Sequence, residues 1–384
     1  MELFELEIGE KVGPRAGTLK LPSGIEVRTP LFMPVATKLS VKTLNPEEVK
    51  ATGTSTVITN GFLTTLEPGS DEVRQMGGMH RMMGWDGGIF SDSGGFQFIR
   101  KGFEAKVEDK GVQLRSPYSG SPVFLTPEDV VDMHVMHGVD VGMVLDHCPP
   151  LSSSEEEIQD SADRTVLWAG RSKERIGSEG MKDLLPEGIE ELPLMFAITQ
   201  GGTFPDIRRK NTERLVELDF PGYGIGGLSI GEGKEQMFGS LEASTSYLPV
   251  DRPRYFMGVG EPTDLIRSVL AGVDIFDSVF PTRNARHRSI FLPSGRENIR
   301  ASRWKGNEGP IMEGCACYTC SNFSRAFIHH LFKAQEPLGP RLATIHNVHF
   351  MQDLVKGLRT MILESGVGKE PANIMKDVFD AFQR

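Results

Sequence analysis

Short apolar runs alternate with amphipathic segments along most of the chain. Eight runs rich in β-branched or aromatic residues, each ending in a polar residue or glycine, predict buried strands. These runs cover residues 31–37, 55–61, 87–95, 141–148, 193–202, 223–229, 254–260 and 273–280. Helix-start signals follow several of them, at Pro46, Thr126, Ser154 and Pro262.

Eight strand–helix alternations predict an α/β fold, specifically a (β/α)8 TIM barrel, because parallel strands joined by helices close into a barrel at eight. A doubly wound sheet is the alternative, but no glycine-rich dinucleotide turn follows the first run. Two stretches interrupt the alternation. Residues 98–125 predict a hairpin inserted after the third strand, and residues 284–350 follow the last strand. We therefore expect one barrel domain over residues 1–384, with residues 284–350 forming a subdomain within it.

Composition places the chain among globular proteins. It has 384 residues, of which 39% are hydrophobic and 24% charged, enough to bury a large core. No stretch approaches the roughly 18 apolar residues that a membrane span needs, and the start MELFELEIGE has no signal-peptide pattern. These features predict a cytoplasmic protein that does not associate with membranes.

Charge is distributed unevenly. The net charge of −10 argues against general capture of polyanions. Between Arg283 and Lys305, however, seven Lys or Arg residues accompany the single acid Glu297. This basic segment is either a solvated face or the surface of a selective RNA-binding enzyme, and composition does not separate the two.

Polar residues and glycines recur where the predicted strands end. Barrel active sites lie at the carboxyl ends of the strands, so these side chains should converge on one mouth. Each alone is more often a helix cap or a hydrogen-bonded core group, and their convergence is what predicts catalysis. The set comprises Asn60, Asp92, Ser93, Asp146, Cys148, Gln200, Gly226, Gly227, Met257, Gly258 and Asp277.

The carboxylates suggest chemistry on a nucleoside. Asp277, between apolar neighbours, suits a nucleophile that attacks a sugar carbon. Asp92 precedes a Gly-Gly turn that lets a flat ligand approach the backbone, and Phe96 can stack on a base. Asp146 and Gln200 complement the edge of a guanine. A sugar-processing barrel would also carry paired carboxylates and aromatics.

Three of the four cysteines lie within six residues. Cys315, Cys317 and Cys320 form a C-x-C-x2-C loop, typical of three ligands of a tetrahedral Zn²⁺. His346 can complete a closed, structural site, with His349 as its main rival and His329 and His330 nearby. A trio of free reduced thiols is the alternative.

Several blocks in order resemble the queuine/archaeosine tRNA-ribosyltransferase family, and specifically its bacterial-type tRNA-guanine transglycosylases. The resemblance runs over nearly the whole chain. Its strongest blocks are DSGGFQ (92–97), QGG (200–202), GYGIGGLSIGE (222–232), PRYFMGVG (253–260), GVDIFDSVFPTRNAR (272–286), CACYTC (315–320), SRAFIHHL (324–331) and IHN (345–347).

The resemblance implies exchange of guanine in the anticodon of tRNA for a 7-deazaguanine, with a covalent aspartyl intermediate. It assigns the nucleophile to Asp277 and the general base to Asp92. It also implies the following positions: a base-binding pocket at Ser93, Phe96, Asp146, Cys148, Gln200, Gly227, Leu228 and Met257, tRNA contacts at Arg283 and Arg286, and zinc ligands at Cys315, Cys317, Cys320 and His346.

Departures from the bacterial pattern bear on the inserted base. His147 stands where Glu is usual, Phe96 where Tyr is commoner, and Ser229-Ile230 replaces Ala-Val. Bulky Ile230 would crowd the cyclopentenediol of queuine, and Glu232 matches an acid that supports recognition of the aminomethyl group of preQ1. These positions favour preQ1. The TFPDIRR segment (203–209) and the HNVHFMQ segment (346–352) are instead similar to some members that salvage queuine.

Other readings are a non-catalytic partner subunit of the same family and a relative that acts on DNA. The presence of both Asp92 and Asp277 argues against the first, and the PTRNAR segment with the cysteine loop favours tRNA over DNA. We expect a homodimer that binds the tRNA anticodon loop and a 7-deazaguanine base.

Overall fold

The computed structural model describes residues 3–95, 105–365 and 371–381. Within these ranges the strands are β1 (Phe4–Ile8), β2 (Ala16–Lys20), β3 (Glu26–Thr29), β4 (Leu31–Ala36), β5 (Thr56–Asn60), β6 (Gly88–Asp92), β7 (Lys106–Glu108), β8 (Gly111–Arg115), β9 (Pro122–Leu125), β10 (Val141–Met143), β11 (Leu194–Thr199), β12 (Tyr223–Ile225), β13 (Arg254–Phe256), β14 (Ile275–Ser278), β15 (Ser289–Leu292) and β16 (Gly295–Asn298).

The α-helices in the same ranges are α1 (Pro46–Ala51), α2 (Gly61–Thr64), α3 (Ser70–Gln75), α4 (Gly78–Met83), α5 (Pro127–His137), α6 (Glu155–Ile176), α7 (Pro205–Glu217), α8 (Lys234–Thr245), α9 (Pro262–Leu270), α10 (Phe280–Arg286), α11 (Tyr318–Asn322), α12 (Arg325–Ala334), α13 (Leu338–Ser365) and α14 (Pro371–Ala381). A π-helical turn covers Thr65–Gly69, and 3-10 turns cover Met181–Leu184 and Ser302–Trp304.

Eight parallel strands close the barrel in the order β10-β11-β12-β13-β14-β4-β5-β6. Each corresponds to one of the eight apolar runs, so the predicted (β/α)8 barrel is confirmed. The strands are short, as in β10, β12 and β13 with three residues each, because the polar ends of the runs leave the sheet and form the mouth.

Local sequence explains where the helices start. Thr126 and Ser154 both form capping boxes, in which the cap side chain and an acid three residues later satisfy each other's backbone N–H groups. Asn45 does the same before Pro46, and Glu261 caps α9 before Pro262. All four predicted helix starts are therefore confirmed.

Two antiparallel sheets extend the barrel. Strands β1–β3 form a sheet whose apolar residues, including Phe4 and Leu19, pack with the barrel-interior residues Phe90 and Phe196. Strands β7–β9 form a second sheet inside the insertion that follows β6. The predicted hairpin is thus a three-stranded sheet, since a turn joining Ser116 to Ser121 adds a third strand.

After β14 the chain runs through α10 and the β15–β16 hairpin before it reaches the cysteines and α11–α13. Helix α13 packs against α10, β15 and β4, so the cysteine-containing segment is anchored to the barrel wall. No helix in the described part of the chain is both long enough and apolar enough to cross a membrane.

Candidate active site

A cavity of about 720 Å³ opens at the carboxyl ends of the barrel strands. Three carboxylates from β6, the segment after β10, and β14 line it, namely Asp92, Asp146 and Asp277. The predicted convergence is therefore observed. The cavity also contains Asn60, Cys148, Gly226, Gly227, Leu228, Met257, Gly258, Arg283 and Arg286.

Asp277 is held by one oxygen only. Its Oδ1 accepts hydrogen bonds from the Tyr255 hydroxyl at 2.6 Å and from the Gly258 N–H at 2.8 Å. Its Oδ2 has no hydrogen-bond partner among the described residues. Burial raises the pKa of Asp277, and the two hydrogen bonds oppose that rise by stabilising the charged form. The result is an oriented carboxylate with one oxygen available to a ligand.

Tyr255 is a functional candidate that the sequence analysis missed. It lies within β13, is fully buried, and packs edge-on against Phe90 at a centroid distance of 6.0 Å. In sequence it reads as one more aromatic residue of an apolar run. Its hydroxyl gains a partner only because the barrel places it beside Asp277 on β14, 22 residues later in the chain.

Asp92 ends β6 and is half-buried. It accepts a hydrogen bond from the Asn60 side-chain amide at 3.2 Å, and Gly94 N–H donates to its other oxygen at 3.3 Å. Asn60 also caps α2 through its own amide oxygen, so the helix start fixes the amide that holds Asp92. Phe96, the predicted stacking residue, lies outside the described residues.

Asp146 and Gln200 form the buried wall of the cavity region. Gln200 donates to Asp146 at 2.6 Å, and the Ser93 hydroxyl approaches the second Asp146 oxygen at 3.5 Å. Burial, together with the nearby charge of Asp92, raises the pKa of Asp146 to about 7. Among the described residues, Gln200 Oε1 is buried without a partner. Buried polar atoms are rarely left unpaired, so this wall is suited to a polar ligand.

Glycines bring the backbone close to this wall. Gly227 has φ +67°, and a Cβ there would lie 2.3 Å from Gln200 Oε1. A Cβ at Gly95 would lie 2.3 Å from Asp146 Oδ1. Any side chain at either position would displace the polar wall. Buried Leu228 and Cys148 and half-buried Met257 complete the lining, and burial raises the pKa of the Cys148 thiol to about 12.

Arg208, which the sequence analysis also missed, braces the glycine loops from behind. Fully buried on α7, it donates at 2.7 Å to the carbonyl of Gly202 and at 2.7 Å to that of Gly226. Burial lowers the pKa of this guanidinium to about 10. Nothing in the sequence indicated this role, because an arginine on an amphipathic helix is ordinarily a surface residue.

Glu232 holds the loop that follows Leu228. Its carboxylate accepts hydrogen bonds from the N–H groups of Ser229, Ile230 and Gly231, at 2.9 Å for Ile230 and 3.1 Å for Gly231. Because a trans peptide points its N–H and C=O in opposite directions, the Leu228 carbonyl is turned away from Glu232.

The two predicted tRNA contacts lie on α10 and line the same cavity. Arg283 is exposed, and Arg286 is half-buried. Among the described residues, one terminal nitrogen of Arg286 is buried without a partner. Burial and the neighbouring Arg283 lower the pKa of Arg286. An anion at this position would accept a hydrogen bond from the buried nitrogen and offset the repulsion between the two arginines.

The cysteine trio meets a histidine from α13. The ligand atoms of Cys315, Cys317, Cys320 and His346 all lie within 4.8 Å of one another. The His346 Nδ1 is 3.4–3.8 Å from the three sulfurs. Zinc bonds of about 2.3 Å to sulfur and 2.1 Å to nitrogen, meeting at a tetrahedral angle, separate the two atoms by roughly 3.6 Å. The residues therefore fit a closed metal site.

The structure also resolves the choice of histidine. The His346 Nε2 donates to the Phe291 carbonyl at 2.8 Å, which leaves the lone pair of Nδ1 pointing at the cysteines. His349 lies elsewhere on the helix surface, next to the Thr52 carbonyl and Asp353. His329 contacts the Ile299 carbonyl.

Comparison with known proteins identifies the family of this chain. The family model described as "Queuine tRNA-ribosyltransferase" matches residues 10–378. A protein of Desulforudis audaxviator named queuine tRNA-ribosyltransferase is 45% identical over 363 residues, covering 94% of each chain. One of the same name from Thermotoga neapolitana is 43% identical over 379 residues, covering 98% of this chain and 99% of the relative. A third, from Symbiobacterium thermophilum, is 45% identical over 348 residues, covering 91% and 84%. The chain therefore belongs to the queuine tRNA-ribosyltransferase family.

Proposed function

We propose that this pentosyltransferase, a tRNA-guanine transglycosylase of queuosine synthesis, exchanges the wobble guanine of the anticodon through a covalent bond between ribose and Asp277. The observation that carries the proposal is that Asp277 and Asp92 line one cavity, with no hydrogen bond to Asp277 Oδ2 from the described residues. A carboxylate held by one oxygen presents the other as a nucleophile.

In the first half of the reaction, Asp277 Oδ2 bonds to C1′ of the ribose as the bond from C1′ to N9 of guanine breaks. Guanine leaves with that electron pair, its N9 takes a proton from water, and the resulting hydroxide later receives the proton that Asp92 removes from the incoming base. In the second half, Asp92 accepts the N9 proton of the incoming base, N9 bonds to C1′, and the carboxylate of Asp277 leaves with the electrons of its ester bond. Two inversions preserve the configuration of the nucleotide.

Recognition of the base rests on Asp146, Gln200 and the Gly227 backbone. An ionised Asp146 accepts hydrogen bonds from N1–H and the exocyclic amine of guanine, and the Gln200 amide and the Gly227–Leu228 backbone supply the remaining partners. Cys148 and Ser93 form the wall around this edge, and Met257 covers one face of the ring.

The inserted base is proposed to be preQ1. The Leu228 carbonyl, turned away from Glu232, is free to accept from an aminomethyl cation. Ile230 lines the same cavity of about 720 Å³ as Asp277, and its branched side chain occupies space beside Leu228 that a cyclopentenediol ring would need.

Arg283 and Arg286 are proposed to contact phosphates of the anticodon loop, since both lie at the cavity and one Arg286 nitrogen has no partner among the described residues. The ion at Cys315, Cys317, Cys320 and His346 is proposed to be Zn²⁺ with a structural role, because all four tetrahedral positions are taken by protein.

Denaturing gels of the full-length enzyme mixed with tRNA test the covalent step. Asp277→Asn should form no adduct, while Asp92→Asn should still expel guanine and accumulate adduct, because the base acts mainly in the second half. Asp251→Asn, at an exposed carboxylate, is the matched control and should behave as wild type. An adduct with Asp277→Asn but none with Asp92→Asn would reverse the two assignments.

Assays with guanine-containing tRNA and preQ1, queuine or preQ0 test the choice of base. We expect incorporation of preQ1 and weak use of queuine. Efficient queuine insertion by the wild-type enzyme would overturn the argument from Ile230.

A further inference from the structure

We propose that Tyr255, with the Gly258 N–H, sets the balance between the two half-reactions by making the Asp277 carboxylate a better leaving group. The inference rests on the proposed function, since it needs a covalent aspartyl intermediate. Tyr255 acts through Asp277 and is a positioning residue for it.

The geometry is specific to one oxygen. The Tyr255 hydroxyl donates to Asp277 Oδ1 at 2.6 Å, and the Gly258 N–H donates to the same atom at 2.8 Å. Gly258 has φ +80°, a backbone conformation that L side chains rarely adopt. Tyr255 is fully buried, and its ring is packed edge-on against Phe90 within the barrel. The Tyr255 hydroxyl is therefore fixed before substrate binds, and the backbone conformation at Gly258 brings a second donor to the same oxygen.

The two donors to Asp277 Oδ1 are arranged like an oxyanion hole, but the oxygen that they stabilise belongs to the enzyme's own carboxylate. When Oδ2 bonds to C1′, Oδ1 becomes the carbonyl oxygen of the ester and loses most of its negative charge. When the ester bond breaks, the charge returns to Oδ1, and both donors stabilise it. The same hydrogen bonds thus weaken the nucleophile in the first half and improve the leaving group in the second.

A weaker nucleophile that is also a better leaving group suits an exchange reaction, in which the covalent bond must form and then break. A more basic carboxylate would trap tRNA as the ester, whereas a well-stabilised carboxylate lets the incoming base displace it. Burial raises the pKa of Asp277, and the Tyr255 hydrogen bond is the first cause that opposes the rise. Tyr255 therefore counteracts the effect of the apolar surroundings on the ester's stability.

The test is Tyr255→Phe in the full-length enzyme with tRNA, scored by adduct on denaturing gels across a range of added guanine. Loss of a hydrogen bond to a charged group should raise the ratio of adduct to free enzyme about tenfold at fixed guanine. Adduct formation in a single turnover should be as fast as wild type or faster. Release of the adduct by preQ1 should be slower.

Tyr223→Phe is the matched control. Tyr223 is also a buried tyrosine on a barrel strand, and its hydroxyl accepts from the Phe220 N–H at 3.2 Å, within its own loop. The same atom is removed without touching Asp277, so both half-reactions should keep their wild-type ratio.

Opposite changes in the two half-reactions distinguish this role from a packing role, which would slow both. If Tyr255→Phe slows both equally, or leaves the adduct ratio unchanged, the inference is overturned. If wild-type enzyme forms no adduct with Asp277, the proposed function itself fails. Should Tyr255→Phe not fold, site-specific 3-fluorotyrosine at position 255 keeps the ring and strengthens the donor. It should lower the adduct ratio, and an unchanged ratio would overturn the inference.

Discussion

The two ends of the barrel treat their carboxylates differently. At the amino end, Asp274 accepts from Arg15 Nε at 2.8 Å on one oxygen and from the Arg254 N–H at 2.8 Å on the other. Asp140 is also paired on both oxygens, by the N–H groups of Ser23 and Ile89. At the carboxyl end, the described residues donate to only one oxygen of Asp277.

The difference separates structural from functional acids better than burial does. Asp274 and Asp146 are both buried. Yet Asp274 accepts a hydrogen bond of 2.8 Å on each oxygen, whereas among the described residues Asp146 has Gln200 at 2.6 Å on one oxygen and a long 3.5 Å contact from Ser93 on the other. A buried acid with a short protein hydrogen bond on each oxygen holds strands together, and one that leaves an oxygen facing a cavity is available to a ligand.

Replacing an acid by its amide at each end of the barrel should give the largest difference, with activity lost at one end and stability lost at the other. Asp277→Asn should lower base exchange by roughly 10³-fold or more, because the proposed nucleophile is lost while binding remains. Asp274→Asn should instead destabilise the fold by about 3–5 kcal/mol, since its amide NH₂ would meet the donors of Arg15 and Arg254. Radiolabelled guanine exchange and urea unfolding measure the two effects. Comparable stability losses in both variants would remove the distinction between the two ends.

Once the cysteine cluster holds its metal, each of its four ligand atoms should have a partner, as each oxygen of Asp274 and Asp140 does. Cys317→Ser should lose zinc and the folded structure of residues 310–350, because metal-binding free energy is folding free energy here. Metal analysis and limited proteolysis measure this. Cys148→Ser changes a buried cysteine outside the cluster and should retain one zinc per chain. Active, folded wild-type enzyme with sub-stoichiometric zinc would contradict the prediction.

The pH dependence of guanine binding tests whether the ionised Asp146 carboxylate accepts hydrogen bonds from the base. The N–H groups of guanine bind the ionised form, and the pKa of Asp146 is about 7. Affinity should therefore be highest above pH 7 and fall up to about tenfold per pH unit below it. Equilibrium dialysis with labelled guanine measures the affinity. Asp146→Asn should bind weakly with a flat profile, and a flat wild-type profile from pH 8 to 5.5 would argue against an ionised acceptor.

The smallest effect is expected at the rim of the mouth. Arg286→Ala should weaken tRNA binding several-fold and reduce the salt slope by about one, with guanine binding nearly unchanged. Arg303→Ala lies in the same basic segment, but Arg303 already pairs with Glu297 at 2.7 Å. It should leave the salt slope almost unaltered. Equal losses in both variants would indicate a diffuse basic surface rather than a contact at the cavity.

The barrel was predictable because its signals are local. Each apolar run is a few residues long, and each cap needs only a side chain and its neighbours three residues on, as at Thr126 and Ser154. The β7–β9 sheet was predicted only as a hairpin, and the β1–β3 sheet was not predicted. Short strands carry little periodicity, and their pairing depends on turns and on the surface they cover.

Sequence alone determined the eight strands, the acids that would meet at their carboxyl ends, and a metal-binding cysteine loop, since strand order and chelating spacing are written in consecutive residues. Tertiary structure decided which histidine faces the cysteines, because His346 and His349 share one helix and differ only in what packs against each side. It also decided which oxygen of Asp277 accepts hydrogen bonds from the described residues. The donors to the other oxygen come from Tyr255 and Gly258, 22 and 19 residues away, and only closure of the barrel brings them there.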